Sequence, residues 1–292
     1  MTEITSAPVA AADRGAVRRR RRRTSWALRL SAAAAAALII VAIIGPYLVG
    51  DPTAGDVADR LKGFGEDGHL LGTDGQGRDV LTRLVAGARP SVLSGLAPVL
   101  IAGVLGSIIG ITAGLAGRAV HAIIMRTLDV FYAFPAVLLA IAIAAALGSG
   151  TLNAVISLSV VLIPPIARIA ETETARLRHM DFMESAVASG AGRVSIALRQ
   201  VAPNVAPALV VYCTAAVGLA LVYAGGLSFL GLGVAPPAPE WGSMINEQRQ
   251  YMFSNPALAL TPAVVIAVAS VIFNVLGDAL RDTLDVRREG RS

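Results

Sequence analysis

Residues 184–203 read Glu184-Ser185-Ala186-Val187-Ala188-Ser189-Gly190-Ala191-Gly192-Arg193-Val194-Ser195-Ile196-Ala197-Leu198-Arg199-Gln200-Val201-Ala202-Pro203. The stretch is polar and arginine-bearing, and long apolar segments flank it. Just before and within it, Leu177, Met180, Met183 and Val187 fall at helical spacing, which predicts one apolar face. Gly190 and Gly192 then interrupt the pattern. Val194, Ala197, Leu198 and Val201 begin a second short apolar face, and Pro203 is expected to end it. The local prediction is helix, glycine turn, helix. A narrow apolar ridge with charged flanks suits insertion into a groove on another protein.

The surrounding chain is of a different character. Of 292 residues, 55% are hydrophobic and 15% charged, and the mean hydropathy is +0.66. A soluble domain carries about 25% charge, so the composition indicates an all-α polytopic membrane protein. Six spans are predicted, at about 26–49, 92–117, 122–147, 151–170, 205–232 and 258–280, near the ~20 residues that a bilayer requires. The first exceeds the ~7–15-residue apolar core of a signal peptide and is expected to stay as a span. Pro164-Pro165, Pro207, Gly218 and Gly225-Gly226 interrupt the spans, which membrane helices tolerate where neighbours re-satisfy the backbone. Gly103, Gly106, Gly110 and Gly114 recur at a spacing that favours close helix contact.

Charge sets the expected orientation. Arg18 to Arg23 is an unbroken run of six arginines within a net charge of +5. Beside an apolar segment, it reads as a tail holding the first span with its N-terminus inside, rather than as a nucleic-acid-binding arm. Residues 1–25 then form a cytoplasmic tail, and 1–17 are expected to be disordered. The segment 50–91 faces outward with seven acidic and five basic residues. Residues 171–203 face inward, as do the arginines of the 281–292 tail. Both termini are expected in the cytoplasm, with residues 92–280 forming the core of a protein of the bacterial inner membrane.

Four ordered motifs resemble one family. The pattern Glu-Ala-Ala, three residues, Gly, nine residues, Ile-x-Leu-Pro marks the cytoplasmic loop of ABC-importer membrane subunits. Glu184, Ala186, Gly190 and Pro203 match it, whereas Ser185, Gln200 and Ala202 depart from it. Leu71-Gly72-Thr73-Asp74-Gly75-Gln76-Gly77-Arg78-Asp79-Val80-Leu81 is similar to a signature of the dipeptide/oligopeptide/nickel permeases. So are Leu227-Ser228-Phe229-Leu230-Gly231-Leu232-Gly233-Val234 with Pro236, Pro237 and Trp241, and Phe273-Asn274-Val275-Leu276-Gly277-Asp278-Ala279-Leu280-Arg281-Asp282. The chain resembles the C-type (DppC/OppC-like) permease of such importers.

The resemblance implies a type I ABC-importer permease fold and a non-catalytic subunit. The implied partners are a second, B-type permease, ATP-binding subunits, a substrate-binding protein outside the membrane, and the lipid bilayer. Short peptides are the implied solute; nickel, haem or another small solute is the alternative within the family. A self-contained channel or ion-coupled transporter is the alternative class. No cofactor is expected in this chain, and ATP and Mg would sit on partner subunits. The residues agree independently: a P-loop needs a lysine within a glycine-rich frame, and Lys62, the only lysine, lacks that frame.

The resemblance points to Arg178, Asp181, Glu184, Ser185, Ala186, Gly190, Arg193 and Pro203 as the ATPase-coupling loop. Glu184 is expected to make a polar contact to the partner, Gly190 to permit the turn, and Arg178 and Arg193 to pair with partner carboxylates. Thr73, Asp74, Arg78 and Asp79 would either receive the binding protein or brace the outer loop internally. Pro236, Pro237 and Trp241 are candidates for capping the pathway, with an interfacial anchor as the other reading of Trp241. Asp129 and Asp278 lie near the inner ends of predicted spans, where charged residues are functional candidates, but pairing with the nearby Arg126 and Arg281 is the expected reading. His69, His121 and His179 are too scattered for one metal site, and Cys213, the only cysteine, is read as a packing residue.

Overall fold

The computed structural model describes the backbone of residues 9–289 and the side chains of residues 26–284. Ten α-helices follow one another: α1 Val9–Leu48, α2 Val80–Leu115, α3 Arg118–Tyr132, α4 Ala136–Leu147, α5 Thr151–Leu177, α6 Asp181–Ala188, α7 Arg193–Ile196, α8 Ala202–Phe229, α9 Trp241–Gln248 and α10 Pro256–Glu289. No strand forms among the described residues. Five helical stretches are long and apolar enough to cross a membrane. A sixth crossing exists if α3 and α4, bent by 88° at their junction, form one broken span. Residues 122–147 are therefore not the single rod expected. Pro135 has no N–H to continue the ladder and disfavours helical geometry at Phe134.

α5 is the most enclosed of the spans and α1 the most peripheral. α2 and α5 lie against each other along most of their lengths, and glycine is the reason they come so close. A side chain at Gly110 would sit 2.2 Å from the Ala167 carbonyl oxygen, and one at Gly114 would sit 2.6 Å from Thr174 Cβ. Gly106 meets Ile166, and Gly103 faces Cys213 Sγ on α8. The small-residue spacing thus delivers close contact, with a register that brings α8 in at Gly103.

Three boundaries differ from the sequence reading. α1 is helical from Val9, so 9–17 are not disordered; alanine and arginine favour extension of an existing helix. Residues 1–8 and the side chains of Arg18–Arg23 lie outside the described residues. α2 begins at Val80, twelve residues before the predicted span, because the Asp79 carboxylate caps it by accepting the Thr82 N–H at 2.7 Å. Arg83 and Arg89 made this stretch look like a loop. α10 runs to Glu289, so most of the predicted 281–292 tail continues the last span.

Candidate functional site

The segment between α5 and α8 is built around one turn. α6 ends at Ala188 with Ser189 as its cap, and Gly190 follows with φ +78. The Gly190 N–H donates to Val187 O at 3.0 Å and the Ala191 N–H donates to Ala186 O at 3.2 Å. This bond pair is a Schellman motif, which places glycine at the left-handed position. Ala186 and Ala191, the hydrophobic pair of the motif, pack on the core. The space around Gly190 is open, so backbone conformation rather than crowding selects glycine there.

The predicted apolar face divides in two. Leu177 and Met183 are buried, whereas Met180 and Val187 are exposed, together with Phe182, Val194 and Leu198. The reason is the break at residues 178–180. Leu177 closes α5 and Met183 belongs to α6, so helical spacing counted across the break does not define one face. Phe182 went unnoticed because it lies off the expected stripe. Among the motif residues, Glu184, Ser185, Gly190, Arg193 and Pro203 are exposed and Ala186 is half-buried. Asp181 and Glu184 lie in the first turn of α6, where carboxylates oppose the positive helix end, and the Ser185 hydroxyl donates to Asp181 O at 2.8 Å.

Arg178, Glu184, Val187, Arg193 and Ile196 line a cleft of about 500 Å³. Arg178 is partly engaged within the chain, because its Nη1 donates to Gly114 O at 3.2 Å and ties the C-terminal end of α2 to α5. The second half of the segment departs from the expected isolated helix. α7 continues through a wide π turn at Ala197–Val201 into α8, and Pro203 lies in the first turn of α8 instead of ending a helix. The wide π turn shifts the hydrogen-bond ladder just before Pro203, so the proline interrupts the ladder without ending the helix. A force on α7 therefore acts directly on a membrane span.

The motif at Leu71–Leu81 folds inward on itself. Thr73, Asp74 and Arg78 are 0%, 1% and 3% exposed. Asp74 Oδ1 accepts the N–H groups of Gln76 and Arg78, at 2.8 and 3.0 Å, and its Oδ2 accepts Arg78 Nε at 2.7 Å. From α9, Glu247 Oε2 accepts Arg78 Nη2 at 2.5 Å and Arg83 Nη2 at 2.8 Å. Two arginines and two carboxylates thus balance in one buried cluster that joins the loop before α2, α2 itself and α9. Gly77, with φ +75, leaves no room for a side chain: a Cβ would fall 1.8 Å from Asp56 O. Asp79 is drawn away from this cluster to the α2 cap and to His69 Nδ1 at 2.9 Å. Burial raises its carboxyl, but the bonds from Thr82 and His69 outweigh this and leave it below the usual carboxylate range.

Trp241 is not an interfacial anchor. It is 1% exposed, and its Nε1–H donates to Leu84 O at 2.9 Å. Beside it, Glu240 is 1% exposed; it accepts the Ser91 hydroxyl at 3.1 Å and the Ser243 N–H at 2.8 Å. Burial pushes its carboxyl up, against the opposing pull of those bonds. A carboxyl raised on folding contributes stability below its unfolded pKa, and that contribution is lost as pH rises through the folded value. Glu240→Gln is therefore expected to flatten the fall in thermal stability above about pH 4.3, the unfolded glutamate value. Melting of the purified protein from pH 4 to 8 checks this, and parallel profiles for wild type and variant would refute it. Neither Glu240 nor Glu247 was singled out from sequence.

Residues 106–290 match the family described as "Binding-protein-dependent transport system inner membrane component". The chain is 40% identical over 227 residues to the glutathione transport system permease protein GsiD of Pectobacterium atrosepticum, covering 78% of this chain and 75% of that protein. It is also 40% identical over 222 residues to GsiD of Escherichia coli, covering 76% and 73%. The fold is similar to a chain of the inward-facing MetNI methionine ABC transporter, with TM-score 0.56, 20% identity, and coverage of 70% of this chain and 96% of that one. A native crystal form of the same transporter gives TM-score 0.52 at 21% identity. Apolar helices crossing a membrane, an exposed helix–turn–helix between two of them and this family match converge: the chain is a multi-pass inner-membrane permease subunit of the ABC-importer family.

Proposed function

We propose that this permease forms half of a pathway for short peptides and that α6, the Gly190 turn and α7 seat it on an ATPase subunit. The carrying observation is the exposed ridge of Phe182, Val187, Val194 and Leu198 beside the cleft that Glu184 and Arg193 line. An exposed apolar ridge with flanking charges fits a protein groove. The binding of ATP and Mg by two partner subunits would close them, and α7 would transmit that movement through the π turn to α8. Glu184 and Arg193 make the polar contacts to the ATPase, while Asp181, Ser185, Ala186 and Pro203 shape the segment. The N- and C-termini lie on the same cytoplasmic side as this ridge.

On the other side, a substrate-binding protein docks, and a B-type permease supplies the second half of the pathway. Thr73, Asp74, Arg78 and Asp79 act there as an internal brace, because burial leaves the first three little surface to offer. Pro236, Pro237 and Trp241, with α9, close the outer mouth. The peptide class is favoured by the likeness to glutathione permeases, glutathione being itself a small peptide.

Glu184→Lys reverses the charge on the docking face, and Gly190→Pro removes the left-handed turn. Each is expected to lower ATPase copurification by about tenfold, equivalent to ~1.4 kcal/mol of docking energy, with membrane insertion unchanged. Copurification and transport at wild-type levels in both variants would defeat the assignment.

A further inference from the structure

An ion pair joins α3 and α5. Arg168 lies in α5 between Thr151 and Leu177, roughly 26 Å from one end and roughly 14 Å from the other at ~1.5 Å per residue. It pairs with Asp129 of α3, not with the expected Arg126 partner of that residue. The two side chains are 46% and 42% exposed. The Arg168 guanidinium also stands 5.5 Å over the Tyr132 ring. Arg168 lies two residues before the end of the span read at 151–170, and a half-exposed charged pair there faces protein or water rather than hydrocarbon.

Tyr132 leads into a cleft of about 250 Å³ whose lining includes Phe134, Pro164, Pro165, Tyr212 and Tyr223. Tyr212 also lines a second cleft of about 390 Å³, which carries Glu173, Asp278 and Arg281. Tyr212 thus lies between an aromatic cleft and a charged one. The backbone gives independent support. Pro164 and Pro165 have no N–H to donate to the carbonyls of residues 160 and 161. Such backbone is tolerated at membrane depth where it is buried in protein or lines a wet cavity, and both prolines line the first cleft. By contrast, the exposed side chains along α10 at Val264, Val268, Val271 and Val275 are apolar.

We propose that Asp129 and Arg168 form a solute-contact station on the wall of the pathway, Asp129 receiving the ammonium and Arg168 the carboxylate of a zwitterionic solute. This rests on the peptide reading above. Only Arg168 Nη2 and Asp129 Oδ1 join in the hydrogen bond between them. Asp129 Oδ2 and the Nε and Nη1 groups of Arg168 have no hydrogen-bond partner among the described residues, so a peptide can bind both without first displacing other ligands. Tyr132 and Phe134, 57% and 58% exposed, offer stacking surface to its side chains.

The test uses the complete transporter in proteoliposomes, with radiolabelled dialanine delivered by the binding protein. Uptake and binding-protein-stimulated ATP hydrolysis are measured together. Asp129→Asn and Arg168→Gln are each expected to lower dialanine delivered per ATP by about tenfold, the scale of one charge-assisted hydrogen bond, with stimulated hydrolysis retained. Wild-type delivery per ATP in both variants would overturn the station. So would a parallel fall of uptake and hydrolysis, the mark of a structural ion pair. If the wild-type transporter itself delivers no dialanine, the peptide reading fails and the zwitterion station fails with it. That outcome is distinguished because it appears before any substitution is made.

Discussion

Asp74→Ala is expected to destabilise the protein by about 3–5 kcal/mol, the cost of leaving one partner of a buried ion pair uncompensated. Asp74 is 1% exposed and carries two tasks. It holds the 74–78 turn through the N–H groups of Gln76 and Arg78, and it neutralises Arg78. Arg83 Nε lies 3.5 Å from its Oδ2. Without the carboxylate, two arginines share Glu247 alone, in a setting where burial already disfavours charge. The loss is expected to release the outer loop from α2 and α9. The double variant Asp74→Ala/Arg78→Met restores charge balance, so its destabilisation is expected to be smaller than the sum of the two single effects. Chemical denaturation in nanodiscs measures the cycle. Strict additivity, or a loss under about 1 kcal/mol for Asp74→Ala, would show that the cluster behaves as a surface pair and does not brace the fold.

Trp241→Ala should produce a loss of similar size, about 3–5 kcal/mol for truncating a fully buried aromatic. The tryptophan opens α9 and reaches the carbonyl of Leu84, 157 residues away in sequence. Next to it, Gly242 lets α9 approach α8 so closely that a side chain would stand 2.3 Å from Gly225 O. The indole and that glycine contact locate the same helix from two sides. Trp241→Phe keeps most of the apolar volume and gives up the N–H donor. It is expected to cost only about 1–3 kcal/mol, the penalty for an unmet buried partner. Equal effects for Ala and Phe would mean that the hydrogen bond, not packing, seats α9. No measurable effect from Ala would mean that α9 is not seated by Trp241.

How far these features were legible in sequence varies with the distance over which each acts. The spans were legible because mean apolarity over ~20 residues is a local sum. The glycine turn was legible because a left-handed residue is a local demand, met by Gly190. The division of the apolar face was not, since it depends on where α5 stops and α6 starts. Pro203 misled for a related reason: proline reads as a terminator, yet the π turn before it carries the helix through into α8.

The outer motif shows the limit most clearly. Its sequence is dense in glycine, aspartate and arginine, which is compatible with a surface that recognises a partner and with a buried brace. Composition cannot separate the two, because the deciding residue is Glu247, which lies 164 positions beyond Arg83. Asp129 is the same case: Arg126 is its neighbour in sequence, but Arg168 is its neighbour in space.

The sequence by itself determined that this chain crosses a membrane several times, that it carries a helix–turn–helix between two spans, and which family pattern that element follows. These depend on hydropathy, glycine placement and motif order, all of which are written along the chain. The tertiary structure alone decided which charges are buried against one another, that Trp241 packs inward, and that Asp129, Arg168 and a set of aromatic rings share one face. Those outcomes depend on contacts between distant segments, which local spacing does not encode.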